Sequence, residues 1–596
     1  MKSYIFTLMN IIGFIGFAQT QEGITHSGIK TGQSAYPTEN YIELPNPIST
    51  DIQKWKNHKG IQIGWGSTDI RYKKEEPASD LKPSKRLKAW KGERVSAQIA
   101  LSNTDKNTEI SIEISDFKSG KYILKKDNLQ ASFVRYVMTD ELNKDGKGGC
   151  GRRISSEYDS TLVADVLDHI SKKLPLTERS SQGIWIKVQV PQNTQTGIYK
   201  GIVTIKNHSK TIKKLPLEIE IINRTLPQPK DWTFHLDLWQ NPYAVARYYN
   251  VTPWSAEHFE KLRTELQPYV AAGGKSITAS IIHKPWGGQT HDAFNSMVTW
   301  FKKLDGSWHF DFAVFDKWVE FMHQMGVTKQ INCYSMVPWK LSFQYFDQAT
   351  NQLQSIETKP GETQYEEMWT AMLSAFAKHL KTKGWFEKTF ISMDERPMEV
   401  MLETFKIIKK ADPNFKVSLA GTLYNELEPH LDDYCVALRM KYTDEVKTKR
   451  KKQGKITTFY TCCEEPYPNT FTFSEPAESE WLAWYACKEN LDGYLRWAFN
   501  SWTLEPLLDS RFVTWAAGDT YLSYPMGRSS IRLERMIEGI QFYEKVHLLK
   551  NEFQKSNNTE ALKKIDDALQ DFNETILPTK PASEVTKKAR EIINSL

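Results

Sequence analysis

Past residue 229 the chain repeats one pattern: a short apolar run, then a longer stretch with apolar residues at helical spacing. The runs are 232–239 (WTFHLDLW), 276–282 (SITASII), 330–336 (QINCYSM), 388–393 (KTFISM), 416–421 (KVSLAG), 434–440 (YCVALRM), 456–461 (ITTFYT) and 493–499 (GYLRWAF). Between them lie stretches such as SAEHFEKLRTELQPYVAAGG, DFAVFDKWVEFMHQMG, YEEMWTAMLSAFAKHLKTKG and ESEWLAWYACKEN. The runs have strand length and the intervals have helix length. Strands joined through helices pair in parallel and are covered on their outer face by those helices. Eight such units over roughly 310 residues fit a (β/α)8 TIM-type barrel better than a doubly wound sheet. The helix residues Trp318, Trp369, Trp481 and Trp484 are expected in its core.

Residues 19–225 carry a different period. In IWIKVQV, Ile184, Ile186, Val188 and Val190 share one face, and in LPLEIEII Leu215, Leu217, Ile219 and Ile221 alternate with Pro and Glu. Period-two alternation with one buried face predicts an N-terminal antiparallel β-sandwich. The RTLPQPKD linker ends it, and residues 226–550 form the expected barrel. SIRLERMIEGIQFYEKVHLLK reads as a long helix packed on that barrel, and 551–596 as a C-terminal helical appendage.

The first 18 residues read as an export signal: Lys2, an apolar run over 5–17, and small residues Gly16 and Ala18 before a cut. The expected product is exported, to the periplasm or beyond the cell, with no later membrane span. A net charge of +6 on 596 residues, well spread, gives no nucleic-acid footprint. The one basic run, KTKRKKQGK at 447–455, reads as a solvated helix face. Six cysteines are too few for a disulfide scaffold, and without CxxC or HExxH neither a metal nor a cofactor is expected.

Of the 19 tryptophans, 15 lie between Trp232 and Trp515, and several follow an expected strand: Trp239, Trp286, Trp339 and Trp502. Flat aromatic surfaces pack on the C–H faces of pyranose rings, whose hydroxyls need Asp, Asn, His or Arg partners. Core packing between helix and sheet is the competing reading for each Trp. Within this setting KTFISMDERP places Asp394 and Glu395 at the end of the fourth strand, at the barrel's C-terminal mouth, where such folds carry their chemistry. Asp-Glu also occurs at Asp140 and Asp444, so position and not composition singles this pair out.

Adjacency is informative. Two carboxylates that straddle a glycosidic bond stand about 5–5.5 Å apart for retention or 6.5–9.5 Å for inversion, usually on different strands. Neighbours in sequence, with Cα atoms about 3.8 Å apart, serve the same side of a cleft. They suit another division of labour. One protonates the leaving oxygen, and the other orients a 2-acetamido group whose carbonyl oxygen attacks the anomeric carbon to give an oxazolinium ion. The acid needs a raised pKa, to which an ionised neighbour contributes.

SMDERP, the segment TFYTCCEEPYPNTFTFSEPAESEWLAWYACKENLDGYLRWAFNSW, and DSRFVTWAAGDTYLSYP with SIRLERMIEGIQFYEKV together resemble glycoside hydrolase family 123, retaining β-N-acetylgalactosaminidases. The resemblance covers about 230–548, and VPQNTQTGIYKGIVTI resembles the preceding domain of that family. It implies substrate-assisted hydrolysis of terminal β-linked N-acetylgalactosamine on a glycolipid or other glycoconjugate. Asp394 would orient the acetamido group and Glu395 would act as general acid/base. Arg496, Trp497, Asn500 and Trp502 in GYLRWAFNSW are candidates for the sugar pocket. Tyr334, Tyr424 and Tyr460 are candidates to bond the acetamido carbonyl, and His235, Asp237 and His283 to hold hydroxyls. Arg396 and Pro397 are read as shaping the turn. Two alternatives stay open: a β-N-acetylglucosaminidase or broad hexosaminidase, and a non-catalytic carbohydrate-binding protein.

Overall fold

The computed structural model describes residues 39–596 apart from 107, 141–149, 152 and 154–159. The expected export signal lies outside the described residues. The N-terminal part is sheet-rich. One six-stranded sheet runs Ile61–Trp65, Arg94–Asn103, Ser180–Gln189, Leu129–Thr139, Thr161–Asp168 and Ser529–Ser530, every pair antiparallel. Its last strand comes from the far end of the chain. The second sheet is built around the hairpin Gly197–Asn207 and Lys210–Thr225, and here Lys85–Lys91 pairs in parallel with Lys210–Thr225. That pair corrects the wholly antiparallel expectation. Ile184, Ile186, Val188 and Val190 from one sheet and Leu215, Leu217, Ile219 and Ile221 from the other are all buried in one shared apolar core.

The eight expected strands all form: β1 (His235–Leu238), β2 (Ser276–Ser280), β3 (Gln330–Tyr334), β4 (Thr389–Asp394), β5 (Lys416–Gly421), β6 (Asp433–Ala437), β7 (Ile456–Tyr460) and β8 (Gly493–Arg496). They pair in parallel in the order β1-β8-β7-β6-β5-β4-β3-β2, a nearly closed barrel. At the remaining seam β1 and β2 meet through one bridge, Leu236 with Gly274. Gln240 completes it: the Thr278 N–H donates to its Oε1 at 3.0 Å, and its amide donates to Ser276 O at 3.2 Å. A side chain thus satisfies backbone groups that the ladder leaves over.

Helices follow most strands. Two follow β1, but after β5 only a short 3-10 turn, Glu428–His430, fits the brief GTLYNELEPH link. Trp318, Trp369, Trp481 and Trp484 are fully buried, as expected of helix-to-sheet packing. The basic run forms the helix Asp444–Lys452, largely exposed but not wholly so. Arg450 is fully buried, donating to Thr457 Oγ1 at 2.9 Å and Leu431 O at 3.0 Å. A four-stranded sheet, Thr299–Lys302, Trp308–Asp311, Ser342–Asp347 and Gln352–Glu357, is inserted in the segments after β2 and β3. No helix among the described residues is long and apolar enough to cross a membrane.

Buried charges tie the N-terminal sheets to the barrel. Asp165 holds Arg71 and Arg532, each at 2.9 Å, and Asp168 holds Arg528 at 2.8 Å and Arg135 at 3.2 Å. A disulfide joins Cys150 to Cys463, just beyond β7. Removing one partner of such a buried pair typically costs about 3–5 kcal/mol, because the other charge stays buried without its complement. The sheets therefore brace the barrel.

Candidate active site

β4 is buried along its whole length and ends on Asp394; the chain then turns outward, so Asp394 is buried and Glu395 exposed. Gly421, the last residue of β5, allows that turn. A Cβ there would stand 3.1 Å from Glu395 Cα and 3.2 Å from its nitrogen, while the Glu395 N–H donates to Ala420 O at 2.8 Å. A glycine lets the neighbouring backbone lie that close.

Both oxygens of Asp394 are engaged. Trp339 Nε1 donates to Oδ2 at 3.2 Å, and Arg396 Nη2 lies 3.4 Å from Oδ1. The Arg396 guanidinium also covers one face of the Trp339 ring, 4.0 Å from its centroid, leaving Trp339 45% exposed at the mouth. Burial raises the Asp394 pKa to about 6, Arg396 opposes the rise and the Glu395 charge adds to it. Asp394 thus carries a raised pKa that the sequence argument did not assign to it. On Glu395, Tyr460 at the end of β7 donates its hydroxyl to Oε1 at 2.6 Å. Burial first, then the Glu395 charge, push the Tyr460 phenol upward, so it remains a donor at neutral pH.

Beside the pair lies a cluster of rings. Trp239, Trp286 and Tyr334 are mutually in contact, with centroids 4.6–4.9 Å apart, and Phe294 packs on Trp286 at 4.7 Å. Tyr334 ends β3 and lies within electrostatic reach of Asp394. Trp497 is half-buried at the other side and donates from Nε1 to Asp519 Oδ1 at 3.0 Å. His283, half-buried in the mouth segment after β2, is kept neutral by burial and neighbouring Lys284. The structure thus brings Trp239, Trp286, Trp339, Tyr334, Tyr460 and Trp497 to the carboxylate end of the barrel, with His283 in an adjoining segment.

Three further expected sugar contacts, Arg496, Asn500 and Trp502, are enclosed by protein. Arg496 is fully buried, bonded to Asn469 Oδ1 at 2.6 Å and Asp519 Oδ1 at 2.6 Å. Trp502 is fully buried, donating to Ser523 O at 2.8 Å, and Asn500 is fully buried in a reciprocal amide clamp with the backbone of Asn241. None of the three has an exposed face for a ligand. Tyr424, three residues beyond the end of β5 on the mouth side, is half-buried and packs in part on the main apolar core. His235 and Asp237 point into the barrel but too low: His235 opens β1, at the opposite end from Asp394, and Asp237 sits midway, accepting from Asn332 Nδ2 at 2.9 Å. Alternation told which residues face inward, not at which end.

Sequence reasoning gave Arg396 only the shaping of the turn and missed its contacts with Asp394 and the Trp339 ring. Its signal was adjacency: a cation one residue past the pair shares the same turn. It also missed Cys462, half-buried against the ring cluster.

The arrangement is that of a barrel glycosidase, with carboxylates at a strand end and rings around them. The catalytic-domain model of glycoside hydrolase 123 matches residues 239–549, and the glycoside hydrolase 123 N-terminal domain matches 65–207. The chain belongs to glycoside hydrolase family 123. Among solved structures, a family 123 glycoside hydrolase from Clostridium perfringens, described for glycolipid glycan hydrolysis, is 26% identical with a TM-score of 0.80, over 90% of this chain and 97% of that chain. A family 39 glycoside hydrolase from Bacteroides cellulosilyticus WH2 is 9% identical with a TM-score of 0.32, over 78% of this chain and 82% of its own. Comparison with curated proteins found no match.

Proposed function

We propose that this glycoside hydrolase is an exported, retaining exo-glycosidase that removes terminal β-linked N-acetylgalactosamine from a glycolipid or other glycoconjugate by substrate-assisted catalysis. The observation that carries the reading is the contrast within one dipeptide: Asp394 buried between Trp339 and Arg396, Glu395 exposed and held by Tyr460. A group that orients the acetamido N–H works best in a dry, fixed position, where its hydrogen bond is strong. A general acid/base must reach the leaving oxygen and then water, and therefore belongs at the open side. In this scheme Asp394 accepts from the acetamido N–H, and the acetamido carbonyl oxygen attacks the anomeric carbon as Glu395 protonates the departing oxygen. Glu395 then removes a proton from the water that opens the oxazolinium ion. Two inversions at one carbon return the β anomer. The relative from Clostridium perfringens supports a glycolipid glycan as the substrate class.

Paired assays on nitrophenyl β-N-acetylgalactosaminide and β-N-acetylglucosaminide test the sugar. The galacto substrate is expected to be faster, and equal rates would turn the assignment to a broad hexosaminidase. A galacto-configured thiazoline is expected to inhibit strongly. Cleavage of a substrate lacking the 2-acetamido group as fast as its parent would remove the substrate-assisted mechanism. N-terminal sequencing of exported protein tests the cut after Ala18.

A further inference from the structure

Sequence spacing gave no metal motif, yet the fold gathers three cysteines. The sulfurs of Cys150, Cys462 and Cys463 all lie within 4.8 Å of one another; Cys150 is exposed, Cys462 half-buried and Cys463 buried. Cys150 and Cys463 are joined across 313 residues. Cys462 is left over, since neighbouring Cα atoms stand about 3.8 Å apart, short of the 4.4–6.8 Å an ordinary disulfide spans. Burial pushes the Cys462 thiol pKa upward, so in the oxidised protein it is a poor nucleophile. Its backbone N–H donates to Glu465 Oε2 at 2.9 Å, which fixes the start of the loop. Cys462 is two residues beyond Tyr460 and close enough to Glu395 for the two charges to interact.

We propose that reduction of the Cys150–Cys463 bond turns this cluster into a site for one thiophilic divalent cation, such as Zn2+ or Cd2+. A phosphine or dithiol supplies two electrons and is itself oxidised; the S–S bond breaks and each sulfur takes a proton. The cation then displaces three protons and forms three metal–sulfur bonds, with water in the fourth position. Bonds of about 2.3 Å in a tetrahedron place sulfurs about 3.8 Å apart, which side-chain rotation can reach from the observed cluster.

The full chain, reduced with a phosphine and freed of it under anaerobic conditions, is titrated with Cd2+ while thiolate-to-metal charge-transfer absorbance is followed. One equivalent per chain is expected after reduction and none before. Cys462→Ser is expected to weaken binding by about tenfold or more, whereas Cys487→Ser, buried elsewhere, leaves it intact. Should Cys462→Ser fail to fold, alkylation of the reduced wild type decides, because Cd2+ should protect Cys150, Cys462 and Cys463 together. A reduced chain without the absorbance band, wild-type binding by folded Cys462→Ser, or unprotected cysteines would each overturn the proposal.

Discussion

The two ends of the barrel are built from the same strands and do different things. At the C-terminal end the inward residues are Trp239, Tyr334, Asp394 and Tyr460: the first two rings touch, Tyr334 feels the Asp394 charge, and Tyr460 bonds Glu395 beside it. Toward the other end they are His235, Asp237, Gln330, Asn332 and Asp433, small polar groups bonded mainly to each other: Gln330 Nε2 donates to Asp433 Oδ2 at 2.7 Å and to Asn332 Oδ1 at 2.9 Å. A 710 Å³ hollow beneath them is lined by Lys230, Lys275, Lys329, Lys416 and Lys455 among others. Both ends contain carboxylates with raised pKa values, since burial lifts Asp394 and Asp433 to about 6. A shifted acid therefore does not by itself mark a site. What separates the ends is how the neighbouring carboxylate is held: Glu395 beside Asp394 is exposed at the mouth, whereas Asp432 beside Asp433 is half-buried and accepts from the Val417 N–H at 3.0 Å.

The largest test of that contrast removes the exposed carboxylate. Glu395→Gln is expected to lower turnover on substrates with poor leaving groups by at least about 10³-fold, and Asp394→Asn by about 10²–10³-fold. Asp433→Asn, at the far end, should leave turnover near wild type once the folded fraction is matched. Equal losses at the two ends in steady-state assays would dissolve the distinction. Gly421→Ala should follow with a loss of about 10–10²-fold, since its Cβ would press on Glu395 Cα and shift the acid. A crystal structure of the variant should show that displacement.

Arg396→Met sharpens the comparison further. Arg396 lowers an Asp394 pKa that burial has raised to about 6. If Asp394 must be ionised to accept the acetamido N–H, the acidic limb of kcat/KM lies near pH 6 in the wild type and moves up in the variant. An unmoved limb would mean that Arg396 only supports the Trp339 ring. Arg396→Lys, which keeps the charge but not the flat guanidinium stacked on Trp339, is expected to retain most of the limb position.

The sequence made the barrel legible because eight strand-length runs recur with helix-period stretches after most of them, and it made the carboxylate pair legible because Asp394 closes a run of strand residues. It was blind to depth. His235 and Asp237 share a strand with the approach to Trp239, and only the register of β1 against β8, His235 opposite Gly493 and Leu238 opposite Arg496, shows how far each lies from the mouth. It was blind to closure by burial as well: Arg496, Asn500 and Trp502 carry sugar-binding side chains, yet each is consumed by protein partners. The inserted sheet had a readable signal, Asp305-Gly306 between two alternating aromatic segments, a hairpin mark that the barrel pattern overshadowed. The Cys150–Cys463 link spans 313 residues and had no local signal at all.

The smallest expected effect on catalysis belongs to Asp237→Asn, and there the readout is stability. Burial, then the charge of Asp433, raise the Asp237 pKa from 3.8 to about 8. The folded chain therefore keeps a proton that the unfolded chain releases above about pH 4. Between these values the folded state binds more protons, so the contribution of Asp237 to stability is whole below pH 4 and falls as pH rises toward 8. Asn keeps an acceptor for Asn332 Nδ2 and never ionises, so Asp237→Asn should flatten that part of the stability curve, with its gain over wild type growing from pH 5 to 8. Denaturant unfolding at matched pH values measures the difference. A constant offset across that range would mean that Asp237 is not protonated in the folded barrel. Loss of turnover without loss of stability would move Asp237 into the site after all, and the two ends of the barrel would then work as one.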